Sequence, residues 1–203
     1  MKRSTAHGDA FAVVKEHQAF ARLRKVDDSL RRGEATSAPE LVDVGLVLHR
    51  TVERAPYRST PRNSLTFAST GADGVHFGFL LLEDVDLEDS PIVMTVPVSF
   101  KRPNVIVGRD LVDFLALGCR RAFFELEGLA YGWRSDAIAR YESVEPARAH
   151  HAAPLDALSK EFALRPWKHV EAKLARLELA FASRLDVRAS TKEVIEEPPL
   201  TVR

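Results

Sequence analysis

Three residues capable of nucleophilic chemistry fall within eight positions of one another: Ser69, Asp73 and His76, in "FASTGADGVHFGFLL" from Phe67 to Leu81. A serine, a base and an orienting acid are the parts of a hydrolytic triad. Triads, however, are assembled from distant parts of a chain, and three members on one hairpin would have to converge against the alternation of a strand. No Gly-X-Ser-X-Gly elbow is present to expose the serine. The same residues read more simply as a turn. Asp73-Gly74 suits a type I′ turn, which needs positive φ at both central positions, and Gly71 extends that turn or supplies a bulge. His76 then lies on the strand face opposite Val75, Phe77 and Phe79, with Gly78 beside it. A His76 buried against a backbone carbonyl with no adjoining cleft marks a structural role; a His76 in a pocket beside a serine hydroxyl marks a hydrolase that uses it with Ser69 or Asp73.

Other chemistries have less to build on. "TGADG" lacks the lysine of a phosphate loop and the strand-to-helix setting of a dinucleotide fingerprint. His150 and His151 are adjacent, so on a helix or a strand their side chains diverge, and His169 joins them only through tertiary accident; no metal site is read here. Asp84, Asp86, Glu88 and Asp89 form an acidic loop in "LLEDVDLEDSP" without the glycine and terminal glutamate of a calcium loop. The reading is a solvated acidic loop that can serve as a charged contact surface. Tyr131, Trp133 and Trp167 suit either an interface or the core of the C-terminal helices. Cys119, the only cysteine, sits on an apolar helix face as a packed thiol and excludes disulfides and cysteine-rich zinc sites. No cofactor is implied.

The scaffold follows from patterning. The 203 residues, 45% hydrophobic, suffice for one substantial core, and the 29 basic and 29 acidic residues cancel. That balance argues against a nucleic-acid partner. No apolar run reaches the roughly 20 residues of a membrane span, and the N-terminal run is broken by Lys15, Glu16 and His17, so a cytoplasmic protein without membrane attachment is expected. Apolar spacing predicts a helix from Asp9 to about Arg31, capped by Asp9 and stopped by Gly33. "LVDVGLVLHRTV" reads as one strand interrupted by Gly45. Pro56 and Pro61 mark an irregular connection, after which "SLTFAS", "VHFGFLLL", "PIVMTVPVSF" and "NVIVG" read as an antiparallel meander.

A helix from Asp110 to about Glu127 follows, with Asp110 and Asp113 as a capping-box analogue and Phe114, Leu115 and Leu126 facing the sheet. Three helical segments punctuated by Pro146, Pro154 and Pro166 fill the C-terminal half. The expected fold is α+β, a mostly antiparallel sheet packed with helices, in a single domain over residues 1–185 with an extended or mobile tail over 186–203.

The succession "PRNSLTFASTGADGVHFGFL", "PIVMTVP" and "NVIVGRDLVDFLALG" resembles the heart of SUKH-superfamily proteins, in which a comparable glycine-rich hairpin precedes further strands and a helix with a Phe-Leu pair, here Phe114 and Leu115. The resemblance covers about residues 61–117. It implies an α+β fold and a non-catalytic protein that binds a partner, commonly a bacterial immunity protein neutralising a cognate toxin. Gly71, Asp73, Gly74 and His76 on the hairpin and Asp84, Asp86 and Asp89 on the acidic loop are the binding residues expected on this reading. A small hydrolase and a structural or regulatory homodimer built on the C-terminal helices are the alternatives.

Overall fold

A computed structural model describes residues 17–32, 40–143, 145 and 148–187. Its centre is a five-stranded antiparallel meander in the order β1-β2-β3-β4-β5: β1 Val47–Glu53, β2 Ser64–Ser69, β3 His76–Leu80, β4 Ile92–Thr95 and β5 Asn104–Gly108. Helices α1 Gln18–Arg31, α2 Leu111–Gly118, α3 Arg134–Glu142, α4 Ala149–Phe162 and α5 Val170–Phe181 pack around it. The fold is α+β, with the sheet followed by a mostly helical C-terminal half. Among the described residues no helix is long and apolar enough to cross a membrane.

The pleat sorts the two faces. Phe77 and Phe79 alternate with His76 and Gly78, so the phenylalanines go to one side and the histidine to the other. On the apolar side Phe77 and Phe79 join Phe67, Phe114 and Phe123, all fully buried, with ring centroids 4.6 to 6.1 Å apart. Phe67 is the extra residue of a bulge, because Thr66 pairs with Gly78 while Ala68 pairs with Phe77. Aromatic pairs tilted in this way add to the area they bury.

The helical expectations hold in part. The first helix is described from Gln18, capped by His17, whose side chain accepts from the Phe20 N–H at 3.3 Å; Asp9 and Gly33, the expected cap and stop, lie outside the described residues. Leu41–Val44 is a 3-10 helix rather than the start of a strand, and Gly45, at φ +73°, turns the chain into β1. Asp110 caps α2 as expected by accepting from the Asp113 N–H at 2.7 Å, while Asp113 reaches back to the Arg109 N–H at 3.0 Å.

The helix expected to continue to Glu127 stops at Gly118. Ala122 adopts φ +82°, reversing the chain so that Phe123 folds back over Gly118, where a Cβ would lie 2.2 Å from the ring. Leu126 is buried as expected, but from a separate 3-10 helix, Phe124–Ala130. Pro154 does not divide two segments; it sits inside α4, whose first residue is Ala149, early enough that the hydrogen bond it forfeits lies near the helix start. The tail expected from residue 186 is held at its root, since Asp186 accepts from the Arg62 N–H at 2.7 Å and donates to Asn63 Oδ1 at 2.9 Å. Residues 188–203 lie outside the described residues.

Phe114 touches the rings of Phe67, Phe77 and Phe123, and a Cβ on Gly108 would strike it at 2.7 Å. Phe114→Ala therefore empties a site with little freedom to collapse. The expected loss is about 3 to 5 kcal/mol, read as a lower denaturant midpoint with an unchanged slope; a loss below about 1 kcal/mol would contradict this packing.

Candidate functional site

The site grows from the face of the sheet opposite the phenylalanines. Pairing places Val47, Ser69, His76, Thr95 and Asn104 in one row across all five strands, from β1 to β5. Ser69 is half-buried beside a cleft, but His76, Thr95 and Asn104 must find partners, because an unpaired buried polar group costs about 1 to 3 kcal/mol. The connection from β1 to β2 supplies them. Thr60 lies 3.1 Å from His76 Nε2, and the Ser59 carbonyl accepts from Asn104 Nδ2 at 2.9 Å. Thr95 donates to Asn104 Oδ1 at 2.8 Å.

The protonation of His76 follows from its neighbours. Nδ1 is 2.7 Å from the Gly74 carbonyl, which can only accept, so Nδ1 carries the proton and Nε2 accepts from the Thr60 hydroxyl. Burial lowers its pKa below the ordinary histidine value; the Gly74 hydrogen bond opposes that and nearby His49 reinforces it. Because the folded pKa lies below the unfolded one, the neutral ring contributes stability above about pH 6.5, lost as pH falls from there towards the native pKa. Tyr57 stacks on the ring, centroids 5.6 Å apart and planes 19° from parallel.

The hairpin has the expected turn. Val75 donates to the Ala72 carbonyl at 3.1 Å, with φ of +51° at Asp73 and +68° at Gly74; Gly71 is at +86°. Beside the turn, His49, Glu53, Tyr57, Ser69, Asp73 and His76 border a cleft of about 390 Å³. The two marks distinguishing a structural from a catalytic histidine are thus split: His76 is buried against a carbonyl, yet a cleft with Ser69 on its wall adjoins it. The ring decides the chemistry, since both nitrogens are engaged and neither reaches Ser69. Asp73, exposed at the tip, does not orient the ring.

The acidic loop is a separate place. The hairpin tip precedes β3 and the loop follows it, so the strand alone holds them about 13 Å apart. Within the loop, Asp84 pairs with Arg184, whose hydrogen bond lowers the Asp84 pKa, and Glu88 accepts from the Gln18 N–H at the start of α1. Asp86 opens a 3-10 turn, its carbonyl accepting from the Asp89 N–H. Glu83, Asp86 and Asp89 are exposed and have no ion-pair partner among the described residues.

The remaining candidates resolve individually. Burial pushes the Cys119 thiol up to about 11, and its Sγ donates to the Ala116 carbonyl at 3.2 Å. His150 and His151 lie in the first turn of α4, where their rings meet with centroids 4.0 Å apart instead of diverging as expected, and His169 occupies the N-cap position of α5. No group of three or more His, Cys, Asp or Glu side chains able to hold a metal occurs among the described residues. Trp167 is a core residue, donating to the Asp113 carbonyl at 2.9 Å, whereas Trp133 is exposed and stacks on Tyr131.

Sequence reasoning passed over His49, Glu53, Thr60 and Asn104. The one available signal is the two-residue alternation that puts His49 on the face of Val47. Comparison with protein-family models, curated proteins and solved structures finds no match to this chain.

A valine at Gly74 must take a φ of +68°, and its Cβ would stand 2.5 Å from the Tyr57 hydroxyl. Gly74→Val should cost about 1 to 3 kcal/mol, a fall of roughly 2 to 12 °C in melting midpoint, and Gly74→Asn less, because asparagine tolerates the left-handed region. Equal midpoints for wild type and Gly74→Val would refute the turn geometry.

Proposed function

We propose that this chain is a non-catalytic protein-binding module of the immunity-protein type, which acts in the cytoplasm by holding a toxin through surface contact. The observation that carries the reading is the engagement of both His76 nitrogens inside the fold, which leaves the hairpin without a base for Ser69. The buried, high-pKa thiol of Cys119 offers no nucleophile in its place. The resemblance of residues 61–117 to SUKH-superfamily proteins points the same way.

Contact with the partner falls to the acidic loop. Glu83, Asp86 and Asp89 present three carboxylates on a loop held at Asp84 by Arg184 and at Glu88 by the Gln18 N–H. A fixed cluster of one sign speeds and orients the approach of a basic partner more than it tightens the complex. Asp84, engaged with Arg184, serves the scaffold. A small hydrolase is the second reading, favoured by the cleft beside Ser69 and requiring His76 to abandon Thr60.

Capture from the native cytoplasm, followed by assay of the captured protein, separates the two. The expected partner is a toxic protein silenced stoichiometrically by this chain, with an association rate about tenfold or more lower for the combined Glu83→Lys, Asp86→Lys and Asp89→Lys variant at low salt. Absence of such a partner, together with esterase or peptidase turnover that disappears in His76→Ala, would establish the hydrolase instead.

A further inference from the structure

The end of the sheet that carries the hairpin tip also carries the β4–β5 loop, because β4 runs antiparallel to β3 and Thr95 pairs with His76. That loop exposes Phe100 almost completely, at 98%, and Val98 at 52%. It is no loose excursion. Ser99 is buried and donates to the Ala130 carbonyl at 2.8 Å, Val96 N–H donates to the Pro103 carbonyl at 2.7 Å, and Ser99 N–H to the Val96 carbonyl at 3.0 Å. The Ser99 bond sets the loop against Ala130, next to the stacked pair of Tyr131 and Trp133, whose centroids are 4.6 Å apart; Trp133 is 54% exposed. A fixed aromatic surface in water is the usual core of a protein interface.

The charges around this patch are ordered. On the hairpin side lie Asp73 and Glu127, near enough that Asp73 reinforces the upward push of burial on the Glu127 carboxyl, and both acids raise Tyr131. On the other side lie Lys101, exposed, and Arg102 and Arg134, which share one Glu178 oxygen at 3.6 Å each. The sheet sets the order, with the β2–β3 hairpin tip and Asp73 first, the β4–β5 loop and Phe100 next, and Arg102 beyond it against Glu178 of α5, which packs on β5. A two-fold axis through the aromatic centre brings each acidic flank onto the basic flank of the other copy, as an isologous interface requires. An anionic membrane would meet the acidic flank with repulsion, and a partner of a single charge sign would be repelled by one flank or the other.

We infer that Val98, Phe100, Tyr131 and Trp133 form the contact surface for a second copy of this chain, with Lys101 of one protomer facing Glu127 of its partner. The acidic loop lies at the opposite end of β3, so this association leaves it open, and the inference stands independently of the toxin-binding reading.

Sedimentation velocity of the full chain over a wide concentration range tests the inference. The wild type dimerises, Phe100→Asp raises the dimer dissociation constant about 30-fold or more, and at concentrations where both are monomeric the two melt alike, because the ring touches solvent in the monomer. Lys101→Glu and Glu127→Lys each weaken the dimer, and their combination restores it. A chain monomeric at every concentration, a dimer indifferent to Phe100→Asp, or a double variant no better than the singles overturns the inference. So does a monomer that sediments with vesicles of anionic phospholipid and loses that property with Phe100→Asp, which would assign the patch to a membrane.

Discussion

A histidine buried in the middle of a sheet must satisfy two ring nitrogens without water, and the rest of this molecule is arranged around that demand. The Gly74 carbonyl takes the Nδ1 proton, which ties the ring to its own turn two residues back. Thr60 fills Nε2, which ties the ring to the connection between β1 and β2. That connection carries Pro56 and Pro61 and makes no strand, so its position depends on side-chain anchors. Thr60 on His76 and Ser59 on Asn104 are those anchors, and the path they fix places Tyr57 over the ring and forms one wall of the cleft. Burial of the polar row without these partners would be the alternative, at a cost set by each orphaned group.

The opposite face obeys a different constraint. Six phenylalanines pack there, Phe20 of α1 among them, and rings of that size fit only where the backbone withdraws. Gly108 and Gly118 stand where a Cβ would collide with Phe114 and Phe123, so the close approach of α2 to the sheet and the reversal after it depend on the missing side chains. The segments flanking the sheet are then pinned by polar contacts: Asn63 Nδ2 donates to the Leu81 and Arg184 carbonyls at 3.3 and 3.0 Å, and Arg24 donates to the His49 carbonyl of β1 at 2.7 Å. A hydrophobic face supplies the driving force and the polar row supplies the register.

Local chemistry makes part of this fold legible in the sequence. Asp73-Gly74 announces its turn because few residues accept positive φ, Asp110 announces its cap, and the alternation through Val75–Phe79 assigns His76 to the polar face. The break after Gly118 is illegible because the residue that takes φ +82° is Ala122, which carries no turn signal of its own; packing of Phe123 onto Gly118 overrides local preference. Pro154 misleads because the packing of Leu155, Leu158 and Phe162 holds α4 through the one backbone hydrogen bond that a proline at its sixth residue forfeits. The partners of His76 come from 16 residues away and from its own turn, a pairing set by tertiary folding.

The most direct measurement is the ionisation and tautomer of His76, read from ¹⁵N shifts and long-range couplings of the imidazole during a pH titration. Engagement with Gly74 and Thr60 predicts the Nδ1–H tautomer at neutral pH, and burial predicts an apparent pKa below about 6.5. An Nε2–H tautomer, or a ring that titrates at or above the ordinary histidine value, would contradict the structural role and make His76 a candidate catalytic base again.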